Sequence, residues 1–200
     1  MPAATTNKPA ETGFAFFDSA IGRCAIVWRG GLVVGTALPE TSDERARASL
    51  ERRFPGAVQA EPPPFAAQAI AKIAGLLAGD RTGLNDIELD LAGAPEFDRS
   101  VWEVTRLIPC GEVRSYGEIA RAIGSAQAAQ AVGLALGRNP VPIVVPCHRV
   151  LAADGRSGGF SAPGGVTTKF RILAIEGARR PGEPQLFETL PLAVRPGRTT

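Results

Sequence analysis

The stretch of this chain that most restricts its fold lies between residues 115 and 136. Ser115 stands where it can cap a short helix over Tyr116–Ile123, and Gly124 closes it. Ser125 then opens another helix over Gln127–Leu136, and after Asn139-Pro140 an extended run is expected over Val141–Val145. Two short helices joined by a tight glycine-containing turn form the helix-turn-helix pattern. Just upstream, Phe97, Val101, Val104, Leu107 and Ile108 recur at i, i+3, i+4 spacing, which predicts a helix ending at Pro109.

The N-terminal half reads differently. Phe14–Phe17, Cys24–Trp28 and Leu32–Ala37 are short apolar or β-rich runs separated by Asp18-Ser19, Gly22 and Gly30-Gly31. That pattern predicts an antiparallel meander. Ser42 caps a helix through Arg45 to Phe54, stopped by Pro55-Gly56. A second helix is expected from Phe65 to Ala78, with Ile70, Ile73, Leu76 and Leu77 at helical spacing, and a last strand from Ile87 to Leu91. The expected organisation is a loose lead-in over 1–12, an α/β domain over 13–94, a helix-turn-helix domain over 95–177 and a Pro/Arg/Gly-rich tail over 178–200.

At 200 residues, 44% apolar and 21% charged, the chain is long enough to bury a core without staples. Its net charge of +2 says little about partners, but Ile119 to Ala153 holds three arginines, Arg121, Arg138 and Arg149, and no acidic residue. Such a stretch suits an anionic partner. No apolar run reaches membrane-span length, and Met1–Thr12 has no signal-peptide core. Three cysteines without a CxxC spacing point to a reducing cytoplasm. With a single histidine, no zinc site is expected within the chain.

That histidine, His148, directly follows Cys147. A thiol is a poor nucleophile until it loses its proton, and an imidazole can take that proton directly or through one water. Adjacent side chains of an extended chain point to opposite faces, so the pair works only on a sharp turn or through a water. Pro146 helps to fix such a turn. Taken alone, the dipeptide better fits a buried free cysteine beside a partly exposed histidine.

The surrounding residues change that reading. Asn139-Pro140-Val141-Pro142-Ile143-Val144-Val145-Pro146-Cys147-His148-Arg149-Val150 strongly resembles the signature of the O6-alkylguanine-DNA alkyltransferases. Pro109-Cys110-Gly111-Glu112-Val113-Arg114-Ser115-Tyr116-Gly117-Glu118-Ile119-Ala120 resembles the first half of their helix-turn-helix. Gly158-Gly159-Phe160-Ser161 and Lys169–Gly177 resemble their substrate loop and final helix. The resemblance spans about residues 96–177. It implies an α/β fold with a small ribonuclease-H-like sheet-and-helix domain, followed by a mostly helical winged helix-turn-helix-like domain.

The resemblance also implies an activity. Members bind double-stranded DNA bearing O6-alkylguanine, flip the damaged base out of the stack, and move the alkyl group irreversibly onto a cysteine. Carried over, Cys147 is the acceptor, His148 its base through a water, and Glu176 the group that orients the imidazole. Asn139 bonds near the thiol and shapes the turn. Tyr116 donates to the departing base, Ser161 bonds its O6 edge, and Phe160 and the Val150 side chain line the pocket. The carbonyls of Cys147 and Val150 accept from the guanine amino group. Ala128, Ala129, Ala131 and Gly133 let the third helix approach the minor groove closely. Ser115 is a further DNA-binding candidate, and Arg114, Arg121 and Arg138 are candidates for phosphate contact, though each alone better fits a solvated charge. No cofactor and no metal are required, and a monomer is expected.

Two positions depart from the family pattern. Gln130 stands where an arginine usually fills the gap left by the flipped base, which implies weaker binding or slower flipping. Phe160 stands where tyrosine is common, and the Ala162–Gly165 loop is longer than in compact members. Bland readings remain for several residues. Glu176 suits a solvated helix end, Tyr116 a packed ring, and the alanines a tightly buried helix. Cys24 and Cys110 read as structural. Two rival functions stand beside repair. One is a damage-binding protein of the alkyltransferase-like kind, which lacks the acceptor cysteine. The other is a cysteine hydrolase using Cys147 and His148.

Overall fold

The computed structural model describes residues 11–178 apart from 82, 154, 156 and 158. The expected meander is present as β1 (Thr12–Ser19), β2 (Gly22–Arg29) and β3 (Leu32–Ala37). β1 and β2 pair antiparallel from Thr12↔Arg29 to Ser19↔Gly22. β2 and β3 pair antiparallel with a bulge at Val27/Trp28. A two-residue strand, β4 (Val58–Gln59), runs parallel to β1, so the sheet order is β3-β2-β1-β4. β1 begins at Thr12, the last residue of the expected lead-in. Residues 1–10 of that lead-in lie outside the described residues.

Two helices cover this sheet on opposite faces. α1 (Asp43–Arg53) is capped by the Ser42 side chain and packs Leu50 against Phe14, Ala25, Val27 and Val34. α2 (Pro64–Ala78) turns Ala66, Ala69, Ile73, Leu76 and Leu77 toward Ala15, Ile26, Trp28 and Val33. Alternate residues of β2 therefore serve two cores, as the period of a strand requires. The strand expected over Ile87–Leu91 is a single bridge, Val33↔Leu89. Two backbone bonds flank it, Val33 N–H to the Glu88 carbonyl and Asp90 N–H to the Val33 carbonyl. Both ends of the segment are committed to turns: the Ile87 amide bonds the Leu84 carbonyl, and Asp90 Oδ1 accepts from the Ala92 amide.

α3 (Glu96–Arg106) buries Val101 and Trp102, and the Trp102 indole donates to the Ala135 carbonyl at 2.9 Å. It stops before the expected Pro109, and Leu107, placed on its apolar stripe by spacing, is 71% exposed because it lies past the last turn. α4 (Tyr116–Ala122) opens with a full capping box between Ser115 and Glu118. α5 (Ala129–Gly137) starts later than the spacing suggests. Ser125 makes a turn by accepting from the Ala128 amide, and Ala128 is the N-cap.

The largest difference lies in Val141–Val145, a β-branched run that reads as extended. It is a tight turn, with the Val145 amide bonded to the Val141 carbonyl and Ile143 at φ 75°. A 3-10 turn (Cys147–Arg149) follows, then β6 (Val150–Leu151), which pairs parallel with β5 (Arg114–Ser115). This short ladder ties the start of the helix-turn-helix to the cysteine turn. The last helix, α6 (Gly165–Ile175), ends with Glu176 as its C-cap. Ala178, the first residue of the expected tail, is buried against Val113, Leu151 and Leu173. The rest of that tail, and Gly158 of the substrate-loop motif, lie outside the described residues. No helix among the described residues is long and apolar enough to cross a membrane.

Candidate active site

Pro146 feeds the chain into the 3-10 turn that carries Cys147, His148 and Arg149. A 3-10 turn has about three residues per turn, so consecutive side chains diverge by roughly 120° instead of alternating. Cys147 meets a cavity, while His148 and Arg149 both reach Glu176.

His148 is fully buried, and its Nε2 lies 3.0 Å from Glu176 Oε1. Arg149 donates Nε to Glu176 Oε2 at 2.9 Å and Nη2 to Oε1 at 2.8 Å, a bidentate pair. Its Nη1 donates to the Ile108 carbonyl at 2.7 Å. The Gly111 amide reaches Glu176 Oε2 at 3.4 Å. Burial works to raise the Glu176 carboxyl, but His148 and Arg149 outweigh it and hold the pKa at about 2. An ionised carboxylate can only accept, so the imidazole proton sits on Nε2. Nδ1 is left with a lone pair, and it is buried without a hydrogen-bond partner among the described residues. Burial lowers the His148 pKa despite the neighbouring carboxylate, so the ring is neutral at pH 7.

Burial pushes the Cys147 thiol up. The Asn139 side chain, the Lys169 charge and the amides of Cys147 and His148 oppose that shift. Asn139 also knits the turn together: its Nδ2 donates to the Val145 carbonyl at 2.9 Å, and its Oδ1 accepts from the Val141 amide at 3.0 Å. Lys169 is 1% exposed, donates to the Val150 carbonyl at 2.7 Å and lies 5.9 Å from the Tyr116 ring centroid. Burial draws its pKa down to about 8.

Cys147 lines a cavity of about 550 Å³ together with Tyr116, Ala129, Gln130, Gly133, Leu134, Phe160, Ser161 and Lys169. That volume lies in the range of small-molecule sites. Burial raises the Tyr116 hydroxyl, and the nearby Cys147 adds to it, so the phenol keeps its proton and can donate. A second cavity of about 550 Å³ shares Cys147, Phe160 and Ser161, and its far wall includes Arg52 and Arg53 of α1. Among the described residues, no group of three or more His, Cys, Asp or Glu side chains could hold a metal ion.

The sequence-predicted residues divide into those at the cavity and those elsewhere. Cys147, Tyr116, Ser161, Phe160, Gln130, Ala129 and Gly133 line it. His148, Glu176 and Asn139 stand behind the thiol. Ser161 donates to the Gly137 carbonyl at 3.2 Å. Val150 is not on the cavity wall: its side chain is fully buried in the core, and its carbonyl is taken by Lys169. Ala128 and Ala131 flank the lining residues of α5 without joining them. Arg138 is engaged by the buried Asp98 carboxylate through two bonds of 2.6 and 2.7 Å. Ser115 is occupied as the cap of α4, while Arg121 is exposed on that helix.

Two functional residues escaped sequence reasoning. Arg149 reads as a phosphate-facing charge yet is buried on Glu176, and Lys169 reads only as part of a helix motif. Arg149 carries a weak signal, a cation in the mostly apolar stretch Val141–Leu151, where a buried charge must find a partner. Lys169, between Thr168 and Arg171, carries none.

Residues 96–178 match the family model described as the DNA binding domain of 6-O-methylguanine DNA methyltransferase. The chain is 40% identical over 171 residues to the methylated-DNA–protein-cysteine methyltransferase of Mycolicibacterium paratuberculosis, covering 86% of this chain and 96% of that protein. The crystal structure of Mycobacterium tuberculosis OGT in complex with DNA is similar at a TM-score of 0.68 and 36% identity, over 85% of this chain and 96% of that one. The O6-methylguanine-DNA methyltransferase of Pyrococcus kodakaraensis is similar at a TM-score of 0.62 and 27% identity, over 84% and 99% of the two chains.

Proposed function

This chain belongs to the methylated-DNA–protein-cysteine methyltransferase family, and from that premise we propose that it repairs duplex DNA by moving the alkyl group of O6-alkylguanine irreversibly onto Cys147, once per chain. What carries this reading is the Cys147 thiol on a cavity large enough to admit a base, backed by a neutral imidazole whose Nδ1 is free and whose Nε2 is fixed by Glu176.

The chemistry follows from those groups. The thiol proton passes through a water to His148 Nδ1, and Glu176 faces the imidazolium that forms. Lys169 and the amides of the 3-10 turn favour the thiolate. Sγ then bonds the alkyl carbon as the carbon–O6 bond breaks, and the bond pair leaves with guanine. Tyr116 donates to the departing base, and Ser161 faces its O6 edge. No cofactor enters, because the substrate brings the alkyl group.

The partner is double-stranded DNA bearing O6-alkylguanine, met by α5. That helix places Ala129, Gln130, Gly133 and Leu134 at the cavity mouth, where small residues allow close approach to a minor groove. We treat 13–94 as the supporting domain and 95–177 as the reacting one. We take a reducing cytoplasm as the setting, because Cys24, Cys110 and Cys147 are all free thiols.

Intact mass after incubation with duplex DNA containing O6-methylguanine tests the reading. One added methylene per chain, mapped to Cys147, supports it. An unchanged mass with tight damage-dependent binding indicates a sensor instead.

A further inference from the structure

The turn that carries Asn139 toward Cys147 is held from the other half of the chain. The Thr36 amide donates to the Pro140 carbonyl at 3.1 Å, and the Thr36 hydroxyl donates to the Pro142 carbonyl at 2.7 Å. Arg53, the last residue of α1, donates Nη2 to the same Pro140 carbonyl at 2.8 Å and Nη1 to the Thr36 carbonyl at 3.1 Å. Thr36 is 4% exposed, and the Arg53 guanidinium is braced over the Phe54 ring at 5.1 Å. Three hydrogen bonds therefore fasten the end of β3 and the end of α1 to Pro140 and Pro142, and a fourth ties Arg53 to Thr36.

That turn does not hold its shape on local preference. Val141–Val145 is β-branched at four of five positions, and Ile143 sits at φ 75°, a region that branched side chains avoid. Such a conformation persists only when its surroundings over-determine it. The turn matters to the reaction because Asn139 spans it and bonds toward the Cys147 thiol. If the turn relaxes toward an extended strand, Asn139, the Val145 carbonyl and the amide of Cys147 lose register together, since that amide bonds Val145.

We propose that Thr36 and Arg53 are positioning residues for Cys147: by clamping Pro140 and Pro142 they keep the strained turn, Asn139 and the thiol in reacting geometry. This rests on the alkyl-transfer reading above. It gives the N-terminal unit a defined part in the reaction, distinct from general support.

The contrast between clamp and support is testable, because a second inter-unit contact leaves the turn alone. Arg171 of α6 donates to the Ala20 and Ile21 carbonyls at the β1–β2 hairpin, at 2.7 and 3.2 Å. Thr36→Val, Arg53→Met and Arg53→Lys are compared with Arg171→Met and wild type. Three quantities are measured: the single-turnover rate of methyl transfer from saturating duplex, the duplex affinity, and the pH profile of thiol reaction with iodoacetamide. The expected result is a rate lowered roughly tenfold or more for Thr36→Val and Arg53→Met, since a misplacement of about 1 Å can cost on the order of 100-fold. Their thiol profile shifts to higher pH, their affinity stays within about twofold, and Arg53→Lys recovers part of the rate through its one remaining donor group. Arg171→Met leaves rate and profile as in wild type. Clamp variants that melt like wild type yet react like it overturn the proposal, as does an equal loss in Arg171→Met. If Thr36→Val fails to fold, the Arg53→Met and Arg53→Lys pair decides. A wild type that gains no methyl overturns the alkyl-transfer reading itself, and the iodoacetamide profiles still test the clamp.

Discussion

Replacing Glu176 with glutamine strikes the buried network at its centre. The carboxylate is 2% exposed and accepts from Arg149 twice, from His148 Nε2 and from the Gly111 amide. Glutamine keeps the shape and removes the charge. Arg149 then retains the Ile108 carbonyl but loses its counter-charge, and breaking a buried pair from one side costs about 3–5 kcal/mol. Titration gives a similar size. Burial opposes ionisation, yet His148 and Arg149 bring the carboxyl from an ordinary 4.5 to about 2, and this is worth about 3 kcal/mol at neutral pH. The pKa is depressed, so this stability is complete above pH 4.5 and drains away as pH falls toward 2. The gap between wild type and Glu176→Gln is therefore about 3–5 kcal/mol at pH 7, and it narrows by about 2 kcal/mol between pH 5 and pH 3. Urea denaturation across that range measures it. A gap that is flat with pH, or below about 1 kcal/mol at pH 7, refutes the reasoning. The rate should fall roughly 100-fold or more, because a neutral amide can offer its N–H₂ to Nε2 and select the wrong tautomer. Adding Arg149→Met to Glu176→Gln should restore part of the stability and none of the rate.

The pH profile of methyl transfer tests His148: burial holds its pKa below the ordinary 6.5, so the neutral base persists and the rate stays level from pH 8 to 6.5. A decline that begins above pH 7 contradicts this. Lys169→Met removes a cation that favours the Cys147 thiolate, so iodoacetamide reaction should require higher pH, with the largest difference below pH 8 where the wild-type lysine is charged. An unchanged thiol profile rules that role out. Gln130, exposed at the cavity mouth, lacks the charge and planar fork of arginine, so Gln130→Arg should bind duplex more tightly and react faster. A variant that repairs no faster and binds no tighter sinks the idea.

What the sequence disclosed and what it hid differ by the range of the forces involved. The capping box of Ser115 and Glu118, the helical stripe of α2 and the β1–β3 meander are set within a few residues, so period and cap residues reveal them. The reacting pair was legible because cysteine and histidine carry their chemistry with them, and the family resemblance supplied Glu176, Asn139 and Tyr116. Hidden features depend on partners far along the chain. Arg149 looks like a free charge until Glu176, 27 residues later, closes on it. The run Val141–Val145 has the composition of a strand, and its local preference is overruled by Thr36 and Arg53, about 100 residues earlier. Both surprises fall beside Cys147. There, local preference and global structure conflict, and a reacting thiol requires geometry that a relaxed chain does not supply. The disagreement between composition and conformation at Ile143 is thus itself a pointer to the site. The same logic predicts that relaxing it, by Ile143→Gly, leaves the turn its shape while freeing it from the Thr36–Arg53 clamp. In that background Arg53→Met should cost the methyl-transfer rate much less than it does with Ile143 in place. An equal loss in both backgrounds means that the clamp acts on something other than the strained turn.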